Sequence, residues 1–166
     1  MKKILAVCFF SIPLLVFTQE YKSAFGVKVG YPGYVGLNGK FFMGKWIALD
    51  NTAGVNFDRD NRFAAFSPIV EFNKKFGTND GYNWYAGVGP NVQYYLNGGY
   101  IHDDMTKTSG LFLKTDALFG VEYTAPGTRF NAAIEGGPSV NVYPFIKVGG
   151  FVNVAVRYAF VNRFDR

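Results

Sequence analysis

The 166-residue sequence predicts an all-β chain, an eight-stranded antiparallel up-and-down β-barrel. Three observations carry that prediction. Short runs of alternating apolar and polar residues recur eight times, divided by turn-forming clusters, with no sustained helical period between them. Within the runs, the charged side chains fall on the face opposite the large apolar ones. That charged face also carries Ala24, Gly26, Gly30, Gly36, Gly54, Gly87, Gly89, Gly120, Gly137, Gly149 and Ala155. A wetted surface has no need of so many small residues, whereas the packed interior of an eight-stranded barrel does.

The first run, 22–31, sets Phe25, Val27, Val29 and Tyr31 against Lys28 and Gly30, and ends at a Pro32-Gly33 turn. The second, 35–43, opposes Val35, Leu37 and Phe41 to Asn38 and Lys40, before Gly44-Lys45 turns the chain. In the third, 47–57, Ile47, Leu49, Val55 and Phe57 face away from Asp50 and Asn56, and the charged stretch 58–62 is a loop. The fourth, 63–73, divides Phe66, Val70 and Phe72 from Ser67 and Glu71, and the Gly- and Asn-containing stretch 77–81 suits a turn with positive φ. The fifth, 84–94, separates Trp84, Val88, Val92 and Tyr94 from Gly87, Asn91 and Gln93; a long loop over 96–110 follows.

The sixth, 111–123, has the clearest pattern. Leu111, Leu113, Phe119 and Val121 lie on one side, and Lys114, Asp116, Gly120 and Glu122 on the other, because successive strand side chains point to opposite faces. Ala125-Pro126-Gly127 leads to the seventh, 130–139, with Phe130, Ala132 and Ile134 opposite Asn131 and Glu135, and the eighth covers 147–160. Pro68, Pro90 and Pro138 fall inside these strands, where a closed barrel has no free edge for them, and mark bulges or strand ends.

Alternation alone fits two barrels. A secreted lipocalin-like ligand binder has an apolar pocket and a wet exterior; a transmembrane barrel has the reverse. Tilted strands of 9–11 residues span the hydrocarbon layer. The charged face is nearly balanced as well as rich in small residues, with six positive and five negative residues in the runs. Both properties suit an interior, since buried ions come in pairs with further hydrogen bonds. A transmembrane barrel is therefore expected. Its interior charge network would comprise Lys28, Glu71, Lys114, Asp116, Glu122, Glu135 and Arg157. Closure of the first strand on the eighth makes Lys28 and Arg157 neighbours, with Glu71, Glu122, Asp116 or Glu135 as their partners.

Lys2-Lys3 followed by the apolar stretch 4–17 has the form of a secretory signal, too short for a spanning helix. A signal over 1–19 and one barrel domain over 20–166 are expected. Cys8 precedes most of the apolar stretch, which argues against lipidation, and is the only cysteine. The mature domain would have neither disulfide nor cysteine metal site. The net charge of +5 falls to +3 without Lys2 and Lys3, and no basic run remains for nucleic acid.

The last strand places Asn153, Ala155, Tyr158 and Phe160 in a polar–small–aromatic–aromatic pattern similar to the signal read by the outer-membrane barrel assembly machinery. Trp46, Trp84, Tyr94, Tyr123, Tyr158 and Phe160 lie near strand ends, as interfacial aromatic girdles do. The residues Ala24-Phe25-Gly26-Val27-Lys28-Val29-Gly30, Glu71-Phe72, Asn83-Trp84-Tyr85-Ala86-Gly87-Val88-Gly89, Gly120-Val121-Glu122-Tyr123 and Val156-Arg157-Tyr158-Ala159-Phe160 carry a wider likeness. Over 20–160 the chain resembles the small eight-stranded outer-membrane β-barrel proteins of Bacteroidota type, a porin-like family similar in style to the outer-membrane protein A barrel. The resemblance implies fold and an outer-membrane location in a Gram-negative envelope, and carries no catalytic residues.

No catalytic, cofactor or metal site is expected. His102, beside Asp103 and Asp104, is the only histidine, and three residues of one loop make a poor cage for calcium. Asp58, Asp60 and Asn61 read as solvated turn residues. Gly87-Val88-Gly89 precedes no helix and so is no phosphate loop. A lipid A-modifying barrel enzyme needs a rim nucleophile and base, and a narrow diffusion channel needs an open lumen. The expected role is non-enzymatic: envelope-structural, or accessory and recognition work through the rim loops. The expected partners are outer-membrane lipid, the assembly machinery during biogenesis and an envelope protein at the 96–110 loop.

Overall fold

The computed structural model describes residues 21–31, 33–57, 62–77, 81–101 and 106–160. The signal segment, Pro32, Asp58, Asp60, Asn61, His102, Asp103 and Asp104 lie outside the described residues. Eight strands follow in order: β1 (Ser23–Tyr31), β2 (Tyr34–Phe42), β3 (Ile47–Asn56), β4 (Arg62–Lys75), β5 (Tyr82–Ile101), β6 (Thr106–Thr124), β7 (Phe130–Tyr143) and β8 (Lys147–Phe160). Each pairs antiparallel with its sequence neighbour, and β1 closes on β8 from Ser23↔Phe160 to Tyr31↔Val152. The chain is an all-β, closed eight-stranded antiparallel barrel.

The two-residue period decides the faces. Val27, Leu37, Phe66, Val88, Phe119 and Ile134 are exposed on the outer wall, while Lys28, Asn38, Glu71, Asp116, Glu122 and Arg157 are buried inside. Outward rings form a belt near the end that holds Ser23 and Phe160. One arc links Phe41, Phe25, Phe160, Tyr158 and Phe130, with centroids 5.0–6.3 Å apart. Another links Trp46, Phe72, Trp84 and Phe119 at 5.9–6.1 Å. At this end the chain turns near Gly77 and Gly127, whose φ of 62° and 74° lie in the left-handed region that glycine enters without strain.

Two expectations need correction. The segment 96–110 is not a plain loop: β5 and β6 continue past the barrel as a two-stranded extension, pairing Gly99↔Thr108, Tyr100↔Lys107 and Ile101↔Thr106. The run of turn-forming glycines around 98–99 and 110 conceals residues with good strand propensity. The internal prolines mark neither bulges nor strand ends. Constant register places Pro68 opposite Pro90, inside a gap in the β4–β5 ladder between Phe66↔Val92 and Val70↔Val88. Pro138 keeps its pairing with Gly150 on β8 and stands in a gap on its β6 side, between Asp116↔Ser139 and Phe119↔Gly136. A proline has no N–H to donate, so these rows lose ladder bonds while the register runs on through them.

Candidate functional site

The barrel interior has three tiers along its axis. Nearest the chain termini, Tyr21 packs edge-on against Phe42 at 5.2 Å, beside buried Ala24, Ala48 and Ala159. Tyr21, just before β1, donates its hydroxyl to both carboxylate oxygens of Glu122 at 3.0 Å.

The middle tier is ionic. Lys28 lies 3.0 Å from Asp50 and 2.7 Å from Glu135. Lys40 lies 2.9 Å from both Glu71 and Glu122, and Arg157 2.9 Å from Asp50 and 3.6 Å from Glu122. These side chains are at most 3% exposed, so water screens them little. Asparagines complete the shell: Asn38 donates to Asp50 at 2.7 Å, Lys40 donates to Asn73 at 2.6 Å, and Arg157 donates to Asn38 and to Asn131. Tyr85 donates to Glu135 at 2.8 Å, and its ring lies 4.2 Å from the Lys40 ammonium. The ring crosses Gly120 so closely that a Cβ there would sit 2.5 Å from it, which explains a glycine on the charged side of β6.

Carboxylate oxygens of Asp50, Glu71 and Glu135 come within 4.8 Å of one another. Lys28, Lys40 and Arg157 already stand against them, so the group belongs to the ion-pair network. Glu71 is the least satisfied member. Its Oε2 lies 2.9 Å from Lys40 without hydrogen-bond alignment, and neither of its carboxylate oxygens accepts a hydrogen bond from the protein.

The third tier, at the end away from the termini, is a cavity of about 380 Å³. Tyr34, Phe63, Tyr95, Phe112 and Phe145 run around one side of it, successive rings 4.6–6.4 Å apart. The other side is polar. Asp116 accepts from Asn91 at 2.6 Å and from Ser139 at 2.5 Å.

Of the residues singled out in the sequence, Lys28, Glu71, Glu122, Glu135 and Arg157 meet in the middle tier. Lys114 and Asp116 do not: both line the cavity instead. Among the described residues no carboxylate forms an ion pair with Lys114, and Asp116 pairs with neither Lys28 nor Arg157. Lys40 and Asp50, at the centre of the network, were visible as charges on the polar face but not as its hubs. They are direct cross-strand partners, yet each reaches across the lumen for its ion pairs. Only barrel closure supplies those contacts. Tyr21 and the cavity rings left no signal in the alternation pattern, because an aromatic residue is equally at home on either face.

The four residues of the terminal aromatic pattern divide between faces. Asn153 turns inward and donates to Glu135 at 3.0 Å, Ala155 is buried, and Tyr158 and Phe160 join the outer belt, with the Arg129 guanidinium 5.7 Å from the Tyr158 ring.

No model of a known protein family matches the chain, and no curated protein matches it. Among solved structures, the N-terminal β-barrel domain of Pseudomonas aeruginosa OprF is similar, with a TM-score of 0.60 and 17% identity. The match covers 84% of this chain and 100% of that one. At that identity the likeness shows the fold.

Proposed function

We propose that the protein is an integral outer-membrane β-barrel of a Gram-negative envelope, exported by its signal segment and non-enzymatic. Its role is envelope-structural or accessory, exercised through its rim. One observation carries this reading: the closed barrel is apolar around its outer wall and ionic inside. A soluble protein seldom exposes contiguous apolar surface on such a scale, whereas hydrocarbon requires it. Closure also leaves no lipid-facing strand edge with unpaired backbone groups.

Two further features support the reading. The outer ring belt has the composition of an interfacial girdle, with Trp46, Trp84, Tyr82 and Tyr158 among its members. The ion pairs and the Tyr21 cluster fill the half nearest the termini, which suits a plugged interior better than a diffusion channel. For the enzyme alternative, Ser139 meets Asp116, and the only histidine of the sequence, His102, lies outside the described residues. In this reading Asn153, Ala155, Tyr158 and Phe160 serve the assembly machinery, and the β5–β6 extension offers a rim surface for an envelope partner.

Heat modifiability tests the proposal. Folded in detergent, the protein is expected to migrate differently in denaturing gels before and after boiling, and to fractionate with outer membranes. Identical mobility in both lanes, with recovery in the soluble fraction, would overturn it.

A further inference from the structure

We propose that the far-end cavity is a binding site for an anionic saccharide: a sugar carrying a carboxylate or phosphate, free or displayed as a glycolipid headgroup. The argument starts from the register. Asn91 pairs with Lys114, Lys114 with Asn141, and Asn141 with Lys147. Four adjacent strands thus present an amide, an ammonium, an amide and an ammonium in one row, and all four side chains line the cavity.

This row is unlike the ionic tier below it. There, each cation has carboxylate partners within 4.0 Å. Here, Lys114 is half-buried and Lys147 exposed, and neither forms an ion pair or hydrogen bond among the described residues. Asp116, two residues along β6, attracts Lys114 without coming within ion-pair distance, and its oxygens accept from Asn91 and Ser139. Two lysines directed into one cavity repel each other and favour an anion between them.

The amides add a second requirement. Asn141 is 5% exposed, and its Nδ2 donates to the Phe145 carbonyl. Its Oδ1 accepts nothing from the protein, nor does the buried Oδ1 of Asn91, and the Tyr34 hydroxyl likewise has no protein partner. A buried polar atom without a partner loses free energy, so these atoms favour a ligand that brings hydroxyl donors as well as negative charge. Asn141 faces inward by the same alternation as Asn131 and Glu135, and a β-bulge just beyond it separates Lys114↔Asn141 from Leu113↔Tyr143.

The opposite wall supplies the third element. The rings from Tyr34 to Phe145 offer flat apolar surface of the kind that packs on the C–H face of a sugar. The volume of about 380 Å³ lies within the range of small-molecule sites, and barrel mouths are a usual place for them. An inorganic anion would satisfy the lysines alone. A neutral sugar would satisfy the amides and rings alone. The combination selects a molecule with both properties.

Calorimetric titration of the folded barrel in detergent micelles tests this, with glucuronate, glucose 6-phosphate, glucose and inorganic phosphate as probes. Glucuronate and glucose 6-phosphate are expected to bind at least about tenfold more tightly than glucose or phosphate. The double variant K114M/K147M should weaken them by about tenfold or more, while K22M, at the opposite end, should leave them unchanged. A glucuronosyl lipid in nanodiscs distinguishes the sources: tighter binding than the free sugar assigns a headgroup, equal binding a free saccharide. Phosphate as tight as glucose 6-phosphate, glucose as tight as glucuronate, or no heat from either acidic sugar up to ~10 mM overturns the proposal. Neither lysine makes an ion pair or hydrogen bond among the described residues, and Asp116 keeps its donors Asn91 and Ser139, so the double variant should keep its fold, verified by its gel mobility. The membrane reading is judged by heat modifiability of the unliganded protein, so the two can fail separately.

Discussion

Asp50 and Glu71 are both buried carboxylates in one network, and they play unequal parts. Asp50 receives Lys28, Arg157, Asn38 and Thr52 at 2.7–3.2 Å. Glu71 has one ammonium beside it and no aligned donor. The network sets four carboxylates against three cations, so one negative charge is in excess. Neutralising either one brings the count to three against three, but at Asp50 it strips Lys28 and Arg157 of the carboxylate they share, whereas at Glu71 it leaves Lys40 paired with Glu122. D50N is therefore expected to lose about 3–5 kcal/mol of stability, and E71Q less than about 1 kcal/mol in either direction. Urea unfolding in micelles, followed by tryptophan fluorescence, checks the ordering. Equal losses would show that local ion pairing does not set the order of stability in this interior.

At the scale of elements, the extension of β5 and β6 stands apart from the wall. Asn97 is the last β5 residue paired with β4, at Arg62, and β7 reaches β6 only from Leu113 onwards. The rows from Gly99↔Thr108 to Ile101↔Thr106 therefore hold only each other. A two-stranded ribbon that shares no ladder with the remaining strands contributes little to the stability of the barrel wall. Replacing residues 98–108 by a two-residue turn is expected to leave the heat-modifiable band in place, with the unfolding midpoint changed by no more than a few tenths of a molar in urea. Loss of the folded band would show that the ribbon is needed for barrel closure. The prolines belong to this scale too. Pro68 and Pro90 face each other, so a single row carries both missing donors instead of weakening two separate rows.

For the whole molecule, the order of tiers along the axis matters more than any one contact. Apolar packing around Tyr21 and Phe42, then ion pairs that cross the lumen, occupy the half nearest the termini. The cavity occupies the other half. Eight strands enclose a space that side chains can fill, so ions crossing this barrel would have to part Lys40 from Glu122 and Arg157 from Asp50. In planar bilayers the expected record is therefore free of large, steady conductance. A porin-like open level would refute a closed interior while leaving the fold untouched.

Alternation by itself determined the strand count, which residues face inward, and that small residues accompany the charges, because a strand's side-chain period is fixed by backbone geometry. The inward placing of Lys28, Glu71, Glu122, Glu135 and Arg157 was legible for that reason. Three things awaited the tertiary structure. Ion-pair partners depend on which strands face one another across the lumen, so Lys40 and its direct neighbour Asp50 look elsewhere. The separation of Lys114 and Asp116 from the network depends on height along the axis, which a two-residue period does not encode. The extension beyond residue 96 depends on pairing between two segments whose glycines, read singly, signal a loop. Local geometry sets the face of each residue; closure of the barrel sets its company.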